Sequence, residues 1–222
     1  MEFEIFDLGL VDFKKSWNLQ KEIFLKVKNG FLKSGLILCQ HYPVITLGRS
    51  SNKKNILFPE EELKTRGIQI YEIERGGDVT YHGPGQMIAY PIFNLNFFKK
   101  DIHFFLRYLE EIVIDLLGDF GINAQRRIGL TGVWVEQKKI ASIGIAIRNW
   151  ITFHGLSINI KKEDLANFRF IRPCGMDIEM TSLETVLERD IEIADIKQNI
   201  RDTLSSNRGT LLQPKQRVSL LT

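Results

Sequence analysis

Cysteine is scarce in this chain: only Cys39 and Cys174 occur in 222 residues, far apart. Two distant thiols exclude a disulfide framework and suit a reducing compartment. No uninterrupted apolar stretch is long enough to span a bilayer. The N-terminus, Met1-Glu2-Phe3-Glu4, is acidic where a secretory signal would be basic. Charge of one sign is missing too, since 30 Lys and Arg against 27 Asp and Glu leave +3. The basic residues stand in scattered pairs, among them Lys53-Lys54, Arg126-Arg127 and Lys138-Lys139, with no polybasic arm. Neither nucleic acid nor membrane is therefore expected as a partner, and the expected compartment is the cytoplasm. Four histidines and two cysteines show no C-x-x-C or H-x-x-x-H spacing, so no metal is expected. Repeats and low-complexity linkers are lacking, which leaves one catalytic domain over 1–222 as the expected organisation.

What is present is ordinary globular composition, 44% apolar and 26% charged. Strands are expected at 3–10, 35–40, 44–48, 68–74, 87–95, 133–135, 140–147 and 151–160. Asp12 can cap a helix from Phe13 to Phe31, with Trp17, Phe24, Val27 and Phe31 along one face. Pro59 opens and Gly67 closes a short helix. The clearest helix follows Asp101 and runs to Phe120, with Ile102, Phe105, Leu109, Ile112 and Leu116 at helical spacing and Gly121 beyond. Segments 181–188 and 193–205 read as helical, and the last residues as a loose or edge segment. Strands cluster centrally with few helices between them, which predicts an α+β domain on a mixed sheet.

Three segments resist a purely structural reading. Arg75-Gly76-Gly77-Asp78-Val79-Thr80-Tyr81-His82-Gly83-Pro84-Gly85-Gln86 carries four glycines among polar residues, which lets backbone approach a ligand closely. It has neither a Gly-Lys-Ser/Thr ending nor a Gly-x-Gly-x-x-Gly helix opening, so it is not one of the common nucleotide loops. In Lys138-Lys139-Ile140-Ala141-Ser142-Ile143-Gly144 a lysine abuts an apolar strand, where a buried ammonium is costly unless paired or used. Both can be surface residues of a hairpin turn; Lys138 reads as surface, and Lys139, which abuts the apolar strand, is the better candidate for pointing inward. Cys39 lies in an apolar run and behaves as a small hydrophobe. Cys174 stands between Pro173 and Gly175 on a turn that can present a thiol, which makes it a nucleophile candidate; a structural or metal-bound cysteine is the alternative. A Cys–His hydrolase pair with His82 or His154 is a rival arrangement, whereas His41 and His103 read as ordinary hydrogen-bonding residues.

Together these segments resemble the LipB family, the octanoyl-acyl carrier protein:protein N-octanoyltransferases. The likeness runs in order through His41-Tyr42-Pro43-Val44-Ile45-Thr46-Leu47-Gly48-Arg49, Arg75 to Gln86, Lys139 to Gly144, Trp150 to Asn159, Pro173-Cys174-Gly175 and Thr181-Ser182-Leu183-Glu184. It implies the mixed-sheet fold of biotin and lipoate ligases and a catalytic pair, Cys174 and Lys139. It also implies an acyl site made of Arg75, Gly76, Gly77, Asp78, Val79, Thr80, Tyr81, His82, Ser142, Ile143, Gly144, Gly155, Leu156 and Ser157. The implied donor is octanoyl-acyl carrier protein. The implied acceptors are apo lipoyl domains of 2-oxoacid dehydrogenase E2 subunits and the glycine cleavage H protein. Neither cofactor nor metal is implied. Met87-Ile88-Ala89 and Ser157 depart from the family's usual Leu-Val-Gly and alanine. Within the site so implied, the apolar Ile143 and Leu156 are expected to wall the acyl chain. The Gly76-Gly77 loop or the backbone near Cys174 is expected to supply oxyanion donors, and Arg126-Arg127 a docking patch for an acidic carrier. The rival on the same fold is an ATP-dependent lipoate-protein ligase, which needs no cysteine nucleophile.

Overall fold

A computed structural model of the chain describes residues 3–206; of Cys174, Ser205 and Ser206 it describes the backbone alone. In chain order the elements are β1 (Glu4–Val11), α1 (Phe13–Lys28), β2 (Ser34–His41), β3 (Val44–Leu47), α2 (Glu60–Thr65), β4 (Gln69–Glu72), β5 (Val79–His82), β6 (Gln86–Phe93), α3 (Ile102–Asp119), β7 (Ala124–Gln125), β8 (Val133–Val135), β9 (Lys138–Arg148), β10 (Ile151–Asn159), α4 (Leu183–Leu187) and α5 (Ile193–Ser206). Short 3₁₀ turns fill several connections, including Lys53–Asn55 and Pro173–Gly175. The expectation for the extreme C-terminus lies outside the described residues.

Seven strands form the main sheet in the order β1-β2-β6-β10-β9-β8-β7, and three form a second, β4-β3-β5. The β1/β2 and β3/β4 pairs are parallel and the rest antiparallel, so both sheets are mixed. The α+β expectation therefore holds. Strand alternation sends Leu36, Leu38, Met87, Ala89, Ile145, Leu156 and Ile158 into a core with α3 and α5. Ile37, Cys39, Ile88, Tyr90, Ala146 and Phe153 face the opposite way, against Ile23 and Val27 of α1.

The caps work as the sequence signals: Asp12 accepts from Lys15 N at 3.2 Å and Asp101 from Phe104 N at 3.0 Å. Two expectations need correcting. The buried stripe of α1 is Phe13, Ser16, Gln20, Ile23 and Val27, whereas Phe31 lies past the helix end and is exposed. The polar members bind neighbours: Ser16 Oγ lies 3.4 Å from His41 Nε2, and Gln20 Oε1 accepts from His154 N at 2.8 Å. No strand is expected between 74 and 87, yet β5 forms inside the glycine-dense stretch and pairs with β3.

Candidate active site

A cavity of about 370 Å³ lies between the pocket-facing side of β9 and β10 and the second sheet with its glycine-rich loop. That size falls within the range of small-molecule sites. Ser142 pairs with Ser157 and Gly144 with Gly155 across β9/β10. These small residues form the floor. Ile143 and Leu156 border the cavity but their side chains belong to the core on the α3 side of the sheet. Phe13, Ile73, Val79, Tyr90, Leu130, Pro173 and Met176 add further apolar lining.

Lys139 reaches this cavity through a register irregularity. Val133 pairs with Ala141 but Trp134 pairs with Lys139, so Ile140 is an extra residue in β9. A bulge of this kind reverses the side-chain alternation. Without it Lys139 would share the face of Ala141 and Ile145, inside the α3 core. With it, Lys139 lines the cavity at 5% exposure, its Nζ 5.1 Å from the centre of the Trp134 ring. Its backbone is held on the other edge by Glu179 O (2.8 Å from Lys139 N) and Thr181 N (2.9 Å from Lys139 O). Lys138 points away, half-exposed and paired with Glu179.

The backbone of Cys174 sits in the Pro173–Gly175 turn, and its neighbours Pro173 and Met176 line the same cavity as Lys139. The Cys174 side chain lies outside what the structure describes. Its turn is tied to the glycine-rich loop through a relay. Arg172 N donates to Asn55 O at 2.7 Å, Asn55 Nδ2 donates to Asp78 Oδ2 at 2.5 Å, and Asp78 Oδ1 accepts from Asn52 N at 3.0 Å. Asp78 thus braces the turn.

Arg75 is buried with its guanidinium on Thr46 O (2.7 Å), Thr46 Oγ1 (3.0 Å) and Gly76 O (3.0 Å). A Cβ on Gly144 would stand 3.0 Å from Arg75 Cδ, and one on Gly48 2.3 Å from Gly77 O, so these glycines let the loop settle on both sheets. The N–H of Gly76 is committed to Ile145 O at 2.8 Å, and those of Gly175 and Met176 close the cysteine turn. None of these three serves as an oxyanion donor in this conformation, which narrows that expectation.

Of the acyl-site residues expected from sequence, all but Tyr81 line the cavity. Tyr81 is fully buried in the core of the second sheet and donates to Asp164 Oδ1 at 2.9 Å. Phe13, Ile73, Tyr90, Gly129, Leu130, Thr131 and Met176 join without having been singled out. Phe13 carried a signal, standing at helical spacing directly after a capping Asp.

His82 and His154 of the cavity lining, and His41 beside them, are locked. Burial drops His41 to about 4, against its hydrogen bond to Val11 O. Because Nδ1 donates to that carbonyl at 2.9 Å, Nε2 accepts from Tyr90 Oη at 2.8 Å. Burial, with His41 beside it, takes His82 to about 3. His82 Nδ1 donates to Gln86 Oε1 at 3.0 Å, while Gln86 Nε2 donates to Asn159 Oδ1 at 3.1 Å. His154 has φ +59° inside β10, a conformation costing on the order of 1 kcal/mol that its surroundings must hold. Burial lowers its pKa despite Glu74, 3.3 Å away. Burial pulls the Glu74 carboxyl up, but the His154 hydrogen bond and its own backbone bring it down to about 2. A neutral imidazole donating to a carboxylate fits both directions.

Residues 12–205 match the family described as the lipoyl protein ligase A/B catalytic domain. Octanoyltransferase of Thermoanaerobacter pseudethanolicus is 44% identical over 209 residues, covering 93% of this chain and 90% of that one. Octanoyltransferase of Geobacter metallireducens is 40% identical over 195 residues, covering 87% and 88%. Among solved structures, lipoate-protein ligase A bound with ATP superposes with a TM-score of 0.72 at 14% identity, covering 93% of this chain and 85% of that one. Biotin protein ligase of Aquifex aeolicus with biotin and ATP gives 0.55 at 13%, covering 93% and 71%. At such identities these structures speak to the fold alone, and the fold is that of the lipoate and biotin ligases.

Proposed function

Because the chain belongs to the lipoyl protein ligase A/B catalytic family and is an acyltransferase of its octanoyl-transferring branch, we propose that it moves an octanoyl group from octanoyl-acyl carrier protein to a lysine of apo lipoyl domains through a Cys174 thioester. This is the first step of making lipoyl groups on E2 subunits and the glycine cleavage H protein. The observation that carries the reading is one cavity lined by Lys139 and by both flanks of the Cys174 turn.

The chemistry runs in two halves. Cys174 Sγ attacks the thioester carbonyl, the bond to the pantetheine sulfur breaks, and the thiol proton passes by way of Lys139 to that leaving sulfur. Free cysteine titrates near 8.5, so a neighbouring amine that favours or forms the thiolate raises the reactive fraction. The target lysine, as its neutral amine, then attacks the Cys174 thioester; an amide forms, the sulfur leaves, and Lys139 takes the amine proton. The floor of Ser142, Gly144, Gly155 and Ser157 leaves room for an extended chain, and Phe13, Ile73 and Val79 supply apolar contact. Filling the cavity with the chain excludes water, which favours transfer over hydrolysis. No metal or cofactor enters the proposal.

Incubation with octanoyl-acyl carrier protein alone, followed by intact-mass spectrometry, tests it. An octanoyl adduct on Cys174, absent from Cys174→Ala and passed to an apo lipoyl domain without ATP, is the expected result. Full transfer by Cys174→Ala would sink the assignment. Activity that requires ATP and free octanoate would reassign the chain to the ligase chemistry of its structural neighbours.

A further inference from the structure

Glu110 is a carboxylate where the spacing of α3 calls for an apolar side chain, three residues before Val113 and seven before Leu117, and it is fully buried. Both of its oxygens are used. Oε2 accepts from Arg107 at 2.7 Å and from Arg126 Nε at 2.9 Å, and Oε1 accepts from Gly132 N at 3.0 Å. Arg126 and Gly132 are the two ends of the 126–132 loop, whose Gly129, Leu130 and Thr131 line the cavity. A single carboxylate therefore clamps both ends of one cavity wall. Arg126 is held further by Arg107 O at 2.8 Å and Glu111 Oε2 at 2.6 Å. Arg127 leans on Glu136 O and Gln137.

The Gly132 end also touches the lysine. At φ +137°, a Cβ on Gly132 would lie 2.5 Å from Lys139 Cε and 2.7 Å from Ala141 O. The stem of Lys139 thus runs directly over the Gly132 Cα, with the Trp134 ring on another side of its ammonium. Displacing Gly132 moves the track along which Lys139 reaches the cavity. The Glu110 carboxylate is fully buried while Arg107 and Arg126 keep 50% and 34% of their side chains exposed, and a buried carboxylate, even when paired, is often no more stabilising than an apolar side chain of the same volume. Stability alone gives α3 little reason to keep a carboxylate here.

We propose that Glu110 is a positioning residue for acyl transfer: by holding Arg126 and Gly132 together it fixes the 129–131 wall and the path of Lys139. The inference rests on Lys139 acting at Cys174. The test compares wild type, Glu110→Ala, Glu110→Asp and Glu110→Gln. It uses single-turnover octanoylation of Cys174 from octanoyl-acyl carrier protein, the pH dependence of Cys174 alkylation by iodoacetamide, and near-UV circular dichroism. Glu110→Ala is expected to slow acylation about 10- to 100-fold with KM for the donor within about threefold, since ångström-scale misplacement has costs of that size. Glu110→Asp, too short to hold both ends, is expected to lose about tenfold, and Glu110→Gln, which keeps an acceptor for Gly132 N–H, to recover part of the rate. The alkylation profile is expected to shift in Ala and Asp alike. Folded Ala or Asp variants with wild-type acylation and an unshifted alkylation profile overturn the proposal. So does a loss of rate that only matches a loss of folded protein. If Glu110→Ala does not fold, Glu110→Asp decides on the same criteria. Absence of a Cys174 adduct in wild type overturns the reading of the site and this inference with it; an adduct in wild type with unaffected variants overturns this inference alone.

Discussion

A bulge carries Lys139 to a cavity that the flanks of the Cys174 turn also line, whereas His82, Tyr90 and His154 of the same lining, with His41 behind Tyr90, are packed into fixed hydrogen bonds. The two ends of this contrast spend polarity in opposite ways. The lysine end brings a chargeable group to the cavity surface, where it can handle a proton. The histidine end buries its titratable groups so deeply that His41 falls to about 4 and His82 to about 3, which leaves them neutral near pH 7. Under the proposed function, neutral imidazoles with committed Nδ1 protons would shape the acyl site without disturbing proton transfer at Lys139.

The sharpest way to break the comparison is to remove the Lys139 amine, which the proposed mechanism uses to move the proton. Lys139→Ala is expected to slow both acylation of Cys174 and delivery to the lipoyl lysine by about 10²- to 10⁴-fold, the usual worth of a positioned acid–base group. Near-UV circular dichroism should stay native. Transfer within a few-fold of wild type would dissolve the distinction between the two ends.

The histidine end should declare itself in stability, by way of pH. Unfolded histidine titrates near 6.5, whereas His41 and His82 do so at about 4 and about 3 when folded. The folded state therefore prefers them neutral. Their contribution is fully present above pH 6.5 and is lost as pH falls toward 4, because the unfolded chain then binds protons that the native state refuses. Each contributes a slope of at most about 1.4 kcal/mol per pH unit in that window. Urea titrations of wild type and His82→Gln at pH 7 and pH 5 check it; an equal pH dependence in both proteins would contradict the assignment of His82. Tyr90→Phe acts more weakly. It strips the donor from buried His41 Nε2, so about 1–3 kcal/mol of stability should go while transfer persists.

The two ends were not equally legible in the sequence. The glycine-rich segment and the Pro-Cys-Gly turn announce themselves by composition, because close backbone approach and a presented thiol each need particular residue types; the choice of Lys139 over Lys138 rests mainly on the family resemblance. The device that aims Lys139 does not announce itself. Ala141, Ser142 and Ile143 read as plain alternation, and only the pairing of Trp134 with Lys139 reveals that Ile140 is extra. Register is a property of two strands, so neither strand's sequence contains it. The same applies to Tyr90, which looks like any sheet residue until His41 is placed 2.8 Å from its hydroxyl. Glu110 did leave a trace, a charge at core spacing in the clearest helix. Its partners Arg126 and Gly132 are distant in sequence, and without them it reads as one more solvated acid.

The smallest expected effect uses the neighbour of Lys139 as its control. Lys138 and Lys139 have the same chemistry and adjacent positions, but the strand sends Lys138 outward to Glu179, with 43% and 67% of the two side chains exposed. An exposed pair of this kind contributes about 0–1 kcal/mol, since side-chain entropy and solvent screening offset most of the attraction. Lys138→Ala should therefore shift unfolding by no more than about 0.5 kcal/mol and leave both half-reactions at the wild-type rate. Net charge falls by one in both lysine variants, so any loss caused by weaker attraction of an acidic carrier protein would appear in both and shrink with added salt. A defect confined to Lys139→Ala and insensitive to salt assigns the loss to the amine inside the cavity. Equal, salt-sensitive defects would show that the hairpin works through its surface charge and that the bulge at Ile140 is merely a fold feature.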